Sequence, residues 1–286
     1  MSLAARQVSQ SPDDRLSRRN FDRLAKFIYK YSGIKMPVTK ATMLEGRLRK
    51  RLRVCNIATF DDYCDFLFDH NGLEREAIFL IDAVTTNKTD FFREPKHFEY
   101  LIDTALPDLL RDVPGKLRVW SAACSIGAEP YTLAMVLSEA LGSRDPNLDY
   151  QIIATDLSTE VLETARKAIY PVGMVDPVPH HLRRKYVLDH VDRDRGEVRI
   201  DVSLRRKVGF GRLNLMDEAY PVRDLQHIIF CRNVLIYFDK STQKHVLSNL
   251  CDCLIPGGYL FIGHSESATG LDLPIKQVAN TIFKRI

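Results

Sequence analysis

Val119-Trp120-Ser121-Ala122-Ala123-Cys124-Ser125-Ile126-Gly127-Ala128-Glu129-Pro130 is the stretch whose reading decides the fold. Leu117 to Trp120 is a short apolar run suited to a buried parallel strand. Ser121 to Ala128 is a run of small residues with one glycine. Pro130, read as a first helical position, opens an amphipathic segment carrying Leu133, Ala134, Leu137 and Leu141. Strand, small-residue turn and helix in that order aim backbone N–H groups and a helix N-terminus at a ligand, and small side chains allow close backbone approach. A nucleotide-like ligand is the natural occupant, although α/β domains also contain such turns with nothing bound. The stretch lacks G-x-G-x-x-G, which argues against a nicotinamide cofactor. Glu129 in the first helical turn would complement the helix dipole by only ~0.3–1 kcal/mol.

Working outward, 286 residues suffice for one large core or two domains, and no apolar run approaches the ~20 residues of a membrane span. Met1 to Asp14 is polar and lacks the apolar core of a signal peptide, so residues 1–16 read as a disordered tail on a cytoplasmic protein. Six cysteines form no C-x-x-C pair and have no His partners at ligand spacing; reduced thiols and no metal are expected. The net charge of +4 is segregated: Arg15 to Arg53 holds thirteen Lys and Arg against Asp22 and Glu45, a net +11, so the remainder carries −7. Such a field favours an acidic partner.

Ser17 caps a predicted helix from Arg18 to Tyr31 that Gly33 ends, and a second runs from about Lys40 to Val54 with Leu44, Leu48 and Leu52 on one stripe. Lys40, Arg47, Arg49, Lys50 and Arg53 fan away from that stripe without enough carboxylates to match them, which favours binding over a merely solvated face. Two further helices, begun by Thr59 and Leu73, complete a basic helical domain over 17–84. The polar and aromatic linker 85–94 is placed as one wall of a cleft.

In the remaining domain, 95–286, Tyr150 to Asp156 reads as a second strand. Asp156 at its tip suits ribose hydroxyls, or alternatively caps the next helix. Pro171, Pro177, Pro179 and the alternating run Glu197 to Val202 mark a small antiparallel insertion over about 170–207. Val208 to Leu215, His227 to Phe238 and Tyr259 to Gly263 read as further strands, and Ile275 to Phe283 as a closing edge strand. Strands alternating with helices argue a largely parallel sheet with its ligand at the strands' carboxyl ends, where Glu129, Asp156, Asn214 and Asn233 fall.

Five motifs in order carry a resemblance: Thr-Thr-Asn-x-Thr-x-Phe-Phe-Arg at 85–93, Trp-Ser-Ala-Ala-Cys-Ser-x-Gly-x-Glu-Pro-Tyr at 120–131, Ala-Thr-Asp at 154–156, Phe-Cys-Arg-Asn-Val-Leu-Ile-Tyr-Phe-Asp at 230–239 and Pro-Gly-Gly-Tyr-Leu-Phe-Ile-Gly-His-Ser-Glu at 256–266. From about residue 17 to its end the chain resembles the S-adenosylmethionine-dependent chemotaxis receptor glutamate methyltransferases, the CheR family. The resemblance implies an α/β fold: a Rossmann-like methyltransferase domain with a small antiparallel β-subdomain inserted, preceded by an all-helical domain. It implies S-adenosyl-L-methionine as cofactor, held by Asn87, Thr89, Arg93, Glu129, Asp156, Asn214, Leu215, Arg232 and Asn233, with Arg93 and Tyr237 nearest the transferred methyl. The partners it implies are the acidic cytoplasmic helices of receptors, docked on Lys40, Arg47, Lys50 and Arg53. In some members the β-subdomain also tethers a receptor's C-terminal peptide beside a glycine-rich loop; here that place holds Asp192-Arg193-Asp194-Arg195-Gly196, with one glycine. A monomer that neither binds nucleic acid nor inserts in the membrane is expected.

The chemistry fits the residues. A glutamate carboxylate is ionised at neutral pH, so it attacks the methyl in line without a general base, and alignment supplies as much as ~7–11 kcal/mol. Phe91, Phe92 and Tyr237 would exclude water from the cleft. Two other readings remain open: a nucleic-acid methyltransferase, disfavoured because Asn233-Val234-Leu235-Ile236-Tyr237 stands where Asn-Pro-Pro-Tyr would, and a non-catalytic cofactor-binding sensor, disfavoured by Arg93 and Tyr237.

Overall fold

A computed structural model describes residues 14–111, 115–142 and 148–286. The chain divides into two compact units, one ending at Thr86 and one running from Asn87 to Ile286.

The first unit is helical: α1 (Arg18–Ser32), α2 (Ala41–Cys55), α3 (Phe60–Asp69) and α4 (Leu73–Val84). Local signals set the boundaries. The Ser17 side chain accepts from the Asn20 N–H, and Gly33 leaves α1 in the left-handed region at φ 72°, where a Cβ would be strained. Phe21, Leu24 and Ile28 of α1 and Leu44, Leu48 and Leu52 of α2 are buried at helical spacing. The expected tail over 1–16 meets the structure only at its end, because residues 1–13 lie outside the described ones. Residues 14–16 are packed: the Phe60 N–H donates to Asp14 Oδ2 at 2.9 Å and the Leu16 N–H to Glu45 Oε1 at 2.9 Å.

The second unit opens with α5 (Lys96–Tyr100), which continues through a π turn (Leu101–Ala105) into α6 (Leu106–Leu109). There follow β1 (Lys116–Ala122), α7 (Ala128–Gly142), β2 (Asp149–Asp156), α8 (Thr159–Lys167), β3 (Ile169–Pro171), α9 (His180–Tyr186), β4 (Val187–Asp189), β5 (Glu197–Ile200), α10 (Val202–Arg205) and β6 (Val208–Arg212). Last come β7 (Gln226–Cys231), α11 (Lys240–Asp252), β8 (Leu254–Ile262), β9 (Ile275–Ala279) and β10 (Ile282–Arg285). The seven-stranded sheet has the order β6-β2-β1-β7-β8-β10-β9. Its first five strands are parallel and the last two pairings antiparallel. After β1 the chain winds outward through β2 and β6, then returns to the other side of β1 as β7. That reversal leaves a crevice beyond the carboxyl ends of β1 and β7, where open α/β sheets place ligands. All six residues of β7 are buried, as a central parallel strand requires.

Several expected boundaries move. The helix after the small-residue turn begins at Ala128, so Pro130 is its third residue and not its first. The third strand stops at Arg212, leaving Asn214 and Leu215 in the loop beyond it, and the fourth stops at Cys231, before a 3-10 turn over Leu235–Tyr237. The expected closing edge strand is a hairpin. Thr281 at φ 56° reverses the chain, so β10 buries Ile282 and Phe283 against β8 while β9 forms the edge. The insertion is a three-stranded antiparallel sheet of order β3-β5-β4 that also carries α9.

Candidate active site

The small-residue turn is the first component. Ala123, Ser125 and Gly127 all adopt left-handed φ, at 60°, 51° and 92°. A Cβ on Gly127 would lie 2.9 Å from the Ala165 Cβ and 3.1 Å from Tyr170 Oη, so α7 can close on α8 and β3 only over a glycine. Three of the turn's amides are spent internally. The Cys124 N–H donates to the Thr155 carbonyl at 2.9 Å, the Ser125 N–H to Asp156 Oδ2 at 2.8 Å and the Gly127 N–H to the Cys124 carbonyl at 3.0 Å. For Cys124, Ser125 and Gly127 the expectation that the turn's N–H groups point at a ligand is therefore corrected. Asp156 Oδ1 also accepts from the Ser158 N–H at 3.0 Å, while Ser158 itself caps α8.

The second component is the segment from Asn87 to Glu94. Ser125 Oγ donates to the Asn87 carbonyl at 2.8 Å, and the Phe92 N–H donates to Thr132 Oγ1 at 3.1 Å, which lays the segment along the turn and α7. Phe91 is buried edge-on against Tyr170, and Phe92 packs edge-on against Phe98. Phe92 and Glu94 are left-handed at 54° and 57°, conformations that cost ~1–3 kcal/mol each outside glycine and persist only when their surroundings impose them. Arg93, between them, is half-buried and donates Nη1 to the Lys88 carbonyl at 3.1 Å. Asn87 and Thr89 are also half-buried.

The third component joins the first two. Arg232, one residue past β7, has a side chain only 2% exposed, and its Nη2 lies 3.0 Å from Glu94 Oε2 while Nη1 lies 3.3 Å from Glu129 Oε2. Its guanidinium sits over the Phe98 and Phe230 rings and donates to the Arg93 carbonyl. Glu129 takes a 2.6 Å hydrogen bond from Ser121 Oγ. Asn233, left-handed at 60°, donates Nδ2 to Glu94 Oε1 at 3.1 Å, and its N–H to Glu266 Oε2 at 3.0 Å. Glu266 also accepts from the Gly263 N–H at 2.6 Å, and a Cβ on Gly263 would come within 2.6 Å of Asn233 Nδ2. Burial pushes the Glu129 and Glu266 carboxyls up, against the opposing Arg232 charge in one case and backbone N–H donors in the other. For Glu94 burial is outweighed: the Asn233 hydrogen bond and the Arg232 charge hold it below the usual carboxylate range.

The remaining positions lie around this cluster. The Leu213 N–H donates to the Asp156 carbonyl at 3.0 Å, so Asn214 and buried Leu215 follow directly beside the tip of β2. Tyr237 is half-buried in the 3-10 turn after β7, its N–H donating to the Val234 carbonyl at 3.1 Å. Glu94, Glu266, Ser121 and His97 are structural partners that the sequence reading did not single out. The first two fall inside quoted motifs, but which acid is buried is a tertiary property.

Four carboxylates, Glu94, Glu129, Asp156 and Glu266, against two guanidiniums make an acceptor-rich set suited to a cationic, hydroxyl-bearing ligand. Glu94, His97 and His264 are the described residues grouped closely enough for a metal ion, with Glu94 Oε2 3.5 Å from His97 Nδ1 and 4.0 Å from His264 Nε2. Arg232 at 3.0 Å from the same oxygen opposes a cation there.

In the helical unit the basic face divides. Arg47 donates to the Val84 and Thr85 carbonyls and to Thr86 Oγ1, satisfying the end of α4, and Arg49 reaches the Asp14 carbonyl and the Phe60 ring. Lys50 and Arg53 are exposed and Lys40 half-exposed.

Two family descriptions cover nearly all of the chain: "CheR methyltransferase, all-alpha domain" over residues 19–85 and "CheR methyltransferase, SAM binding domain" over residues 87–283. The chain is 37% identical to Chemotaxis protein methyltransferase 2 of Pseudomonas aeruginosa over 93% of either chain. It is 39% identical to the Chemotaxis protein methyltransferase of Borreliella burgdorferi, over 89% of this chain and 90% of that one. It is 40% identical to that of Klebsiella aerogenes, over 94% and 90%. With its family descriptions spanning both units, and an acid-rich crevice at the switch point of a largely parallel sheet, the chain belongs to the CheR family of S-adenosylmethionine-dependent methyltransferases.

Proposed function

We propose that the protein methylates γ-carboxylates of glutamate side chains on chemotaxis receptors, giving methyl esters and S-adenosylhomocysteine, and that it acts as a cytoplasmic monomer. Its relatives' names supply the chemotaxis context. The observation that carries the choice of a carboxylate is the state of the site's acids. Glu94, Glu129, Asp156 and Glu266 all receive hydrogen bonds from the protein, so they are committed as acceptors. A hydroxyl or protonated amine would need a proton acceptor; an ionised carboxylate does not.

S-adenosylmethionine supplies an electrophilic methyl group on a sulfonium centre. Asp156 and Asn214, adjacent at the tips of β2 and β6, hold the ribose hydroxyls; Glu129, Arg232, Asn233, Asn87, Thr89 and Leu215 complete the cofactor's surroundings. Arg93 aligns the incoming carboxylate. Its own bond to the Lys88 carbonyl tempers its grip, which is useful because tight ground-state binding of a nucleophile raises the barrier. Tyr237 narrows the cleft against water. Lys40, Lys50 and Arg53 meet acidic receptor helices. Arg47 fits this role less well because its guanidinium is occupied by carbonyls. Exposed pairs contribute only ~0–1 kcal/mol each, so docking is weak and salt-sensitive. The edges of the small sheet, β3 and β4, are where a receptor peptide would add as a strand.

The test is transfer of labelled methyl from S-adenosylmethionine to receptor-containing membranes, followed by brief mild alkali and counting of volatile methanol. Receptor-dependent volatile label supports the reading. Alkali-stable label would point to a nucleic-acid or N-methylating enzyme, and cofactor binding without transfer to any receptor would point to a sensor.

A further inference from the structure

Away from the crevice residues, the methyltransferase unit holds another cavity, of about 390 Å³, at the root of the inserted sheet. The chain enters the insertion from the end of α8 and leaves it through α10 into β6, the outermost strand of the large sheet. Both stems face the cavity: Arg166 lies in the last turn of α8, and Arg205 and Arg206 end α10. Its apolar wall includes Tyr131 of α7 with Val208 and Phe210 of β6. Tyr131 is buried, its ring 5.8 Å from that of half-buried Phe210. No described residue lining the cavity is an acid, and none belongs to the set placed around the crevice.

Three guanidiniums thus share one cavity without a countercharge. Among the described residues none of the three is ion-paired. Asp201, whose carboxylate feels the Arg205 charge, is already engaged by the Ser203 N–H at 2.8 Å and Oγ at 2.6 Å. Arginines at helix ends commonly serve the last carbonyls of their own helix. Arg166 instead donates Nη2 to the Phe210 carbonyl at 3.2 Å, and Arg205 donates Nε to the Ile200 carbonyl at 3.1 Å. One bond fixes each side chain and uses one of its five N–H donors, which leaves the rest of the fork for a ligand. Such forks match phosphate oxygens two at a time, through charge-assisted bonds about twice as strong as neutral ones. The volume falls within the ~300–1,000 Å³ of small-molecule sites, more than a lone inorganic ion fills, and the aromatic wall suits a ring.

We propose that this cavity is a binding site for a nucleotide, whose phosphates are held by Arg166, Arg205 and Arg206 and whose base lies against Phe210. Such a ligand ties α8 to α10 across the root of the insertion. The proposal stands apart from the methyl-transfer reading, since it uses none of the crevice residues.

Calorimetric titration of the full chain with the four ribonucleoside triphosphates tests it, with and without S-adenosylhomocysteine saturating the crevice. Saturable binding of at least one triphosphate is expected in both conditions. Arg206→Gln removes an exposed guanidinium that no described residue engages, and should raise that Kd about tenfold, the usual effect of losing one bond to a charged group, while the Kd of S-adenosylhomocysteine stays within about twofold. Arg166→Gln repeats the test on the other stem. Inorganic triphosphate should bind at least about tenfold more weakly than the nucleotide; equal affinity would reduce the cavity to an anion site and overturn the nucleotide assignment. Absence of binding by all four nucleotides, binding that S-adenosylhomocysteine abolishes, or a Kd unmoved by both substitutions would overturn the proposal.

Discussion

Both units use arginine–carboxylate pairs, but in opposite settings. In the helical unit Arg18–Asp22 has side chains 70% and 57% exposed, and Arg23 reaches Asp65 and Asp69 across to α3 at the surface. In the methyltransferase unit Arg232 is 2% exposed, between Glu94 and Glu129 at 12% and 13%. Surface charges act at long range, are screened by salt and stabilise little individually. Buried ones are costly to desolvate and persist only where each partner is satisfied, which makes the arrangement rigid. The helical unit holds one intermediate case: Arg51 meets Glu76 at 2.6 Å, and Glu76 also accepts from buried Tyr63. The contrast separates exposed charge, which acts at long range, from buried charge, which fixes local geometry.

The harshest way to break this contrast is Arg232→Met, which leaves Glu94 and Glu129 without their cation. A loss of about 3–5 kcal/mol is expected, read as a fall of about 10 °C in the thermal midpoint. Removing an exposed arginine such as Arg18 should barely register in the same scan.

Next comes pH. His97 is 1% exposed, and burial, then the Arg232 charge, pull its pKa down to about 4 from the ordinary 6.5. The unfolded chain protonates at the higher value, so it binds more protons than the fold between pH 6.5 and 4. Stability is therefore whole above that window and lost as pH falls through it, by up to about 3 kcal/mol. Denaturant midpoints from pH 7.5 to 4.5 should fall more steeply for the native chain than for His97→Phe; parallel slopes would dismiss this histidine as the cause.

Arg93→Ala tests alignment without burial. Turnover should drop about 100-fold with stability within about 1 kcal/mol of the parent, since the side chain is half-buried. Near-normal turnover would take Arg93 out of the mechanism. Lys50→Glu with Arg53→Glu sharpens the other side: receptor methylation should slow less than about tenfold at low salt and converge with the parent at high salt. The smallest effect is expected from His264→Gln, with turnover within about threefold, because an ionised carboxylate asks for no base; a 100-fold loss would restore base catalysis.

How much of this was readable in advance differs by level. Helix boundaries in the first unit follow from neighbours in sequence: Ser17, Gly33 and Thr59 act within four residues. The β9 and β10 strands were harder, since the reversal at Thr281 needs a left-handed threonine that no composition rule favours. Among site residues, Arg232, Asn233, Glu129 and the backbone of Arg93 do come together. The Cys124 and Ser125 amides, read as facing a ligand, are claimed by Thr155 and Asp156, about thirty positions later.

By itself the sequence determined the alternation of strands and helices, the stripe of leucines on α2, the segregated basic charge and the five motifs that mark the family, because periodicity, capping and motif spacing act along the chain. Only the tertiary structure decided which charges count. Arg47, read as a docking cation, closes the end of α4, while Glu94, given no role in advance, gathers Arg232, Asn233 and His264. A charged side chain's role depends on its burial and on the partners that residues up to 170 positions away bring to it, and neither is written in local order.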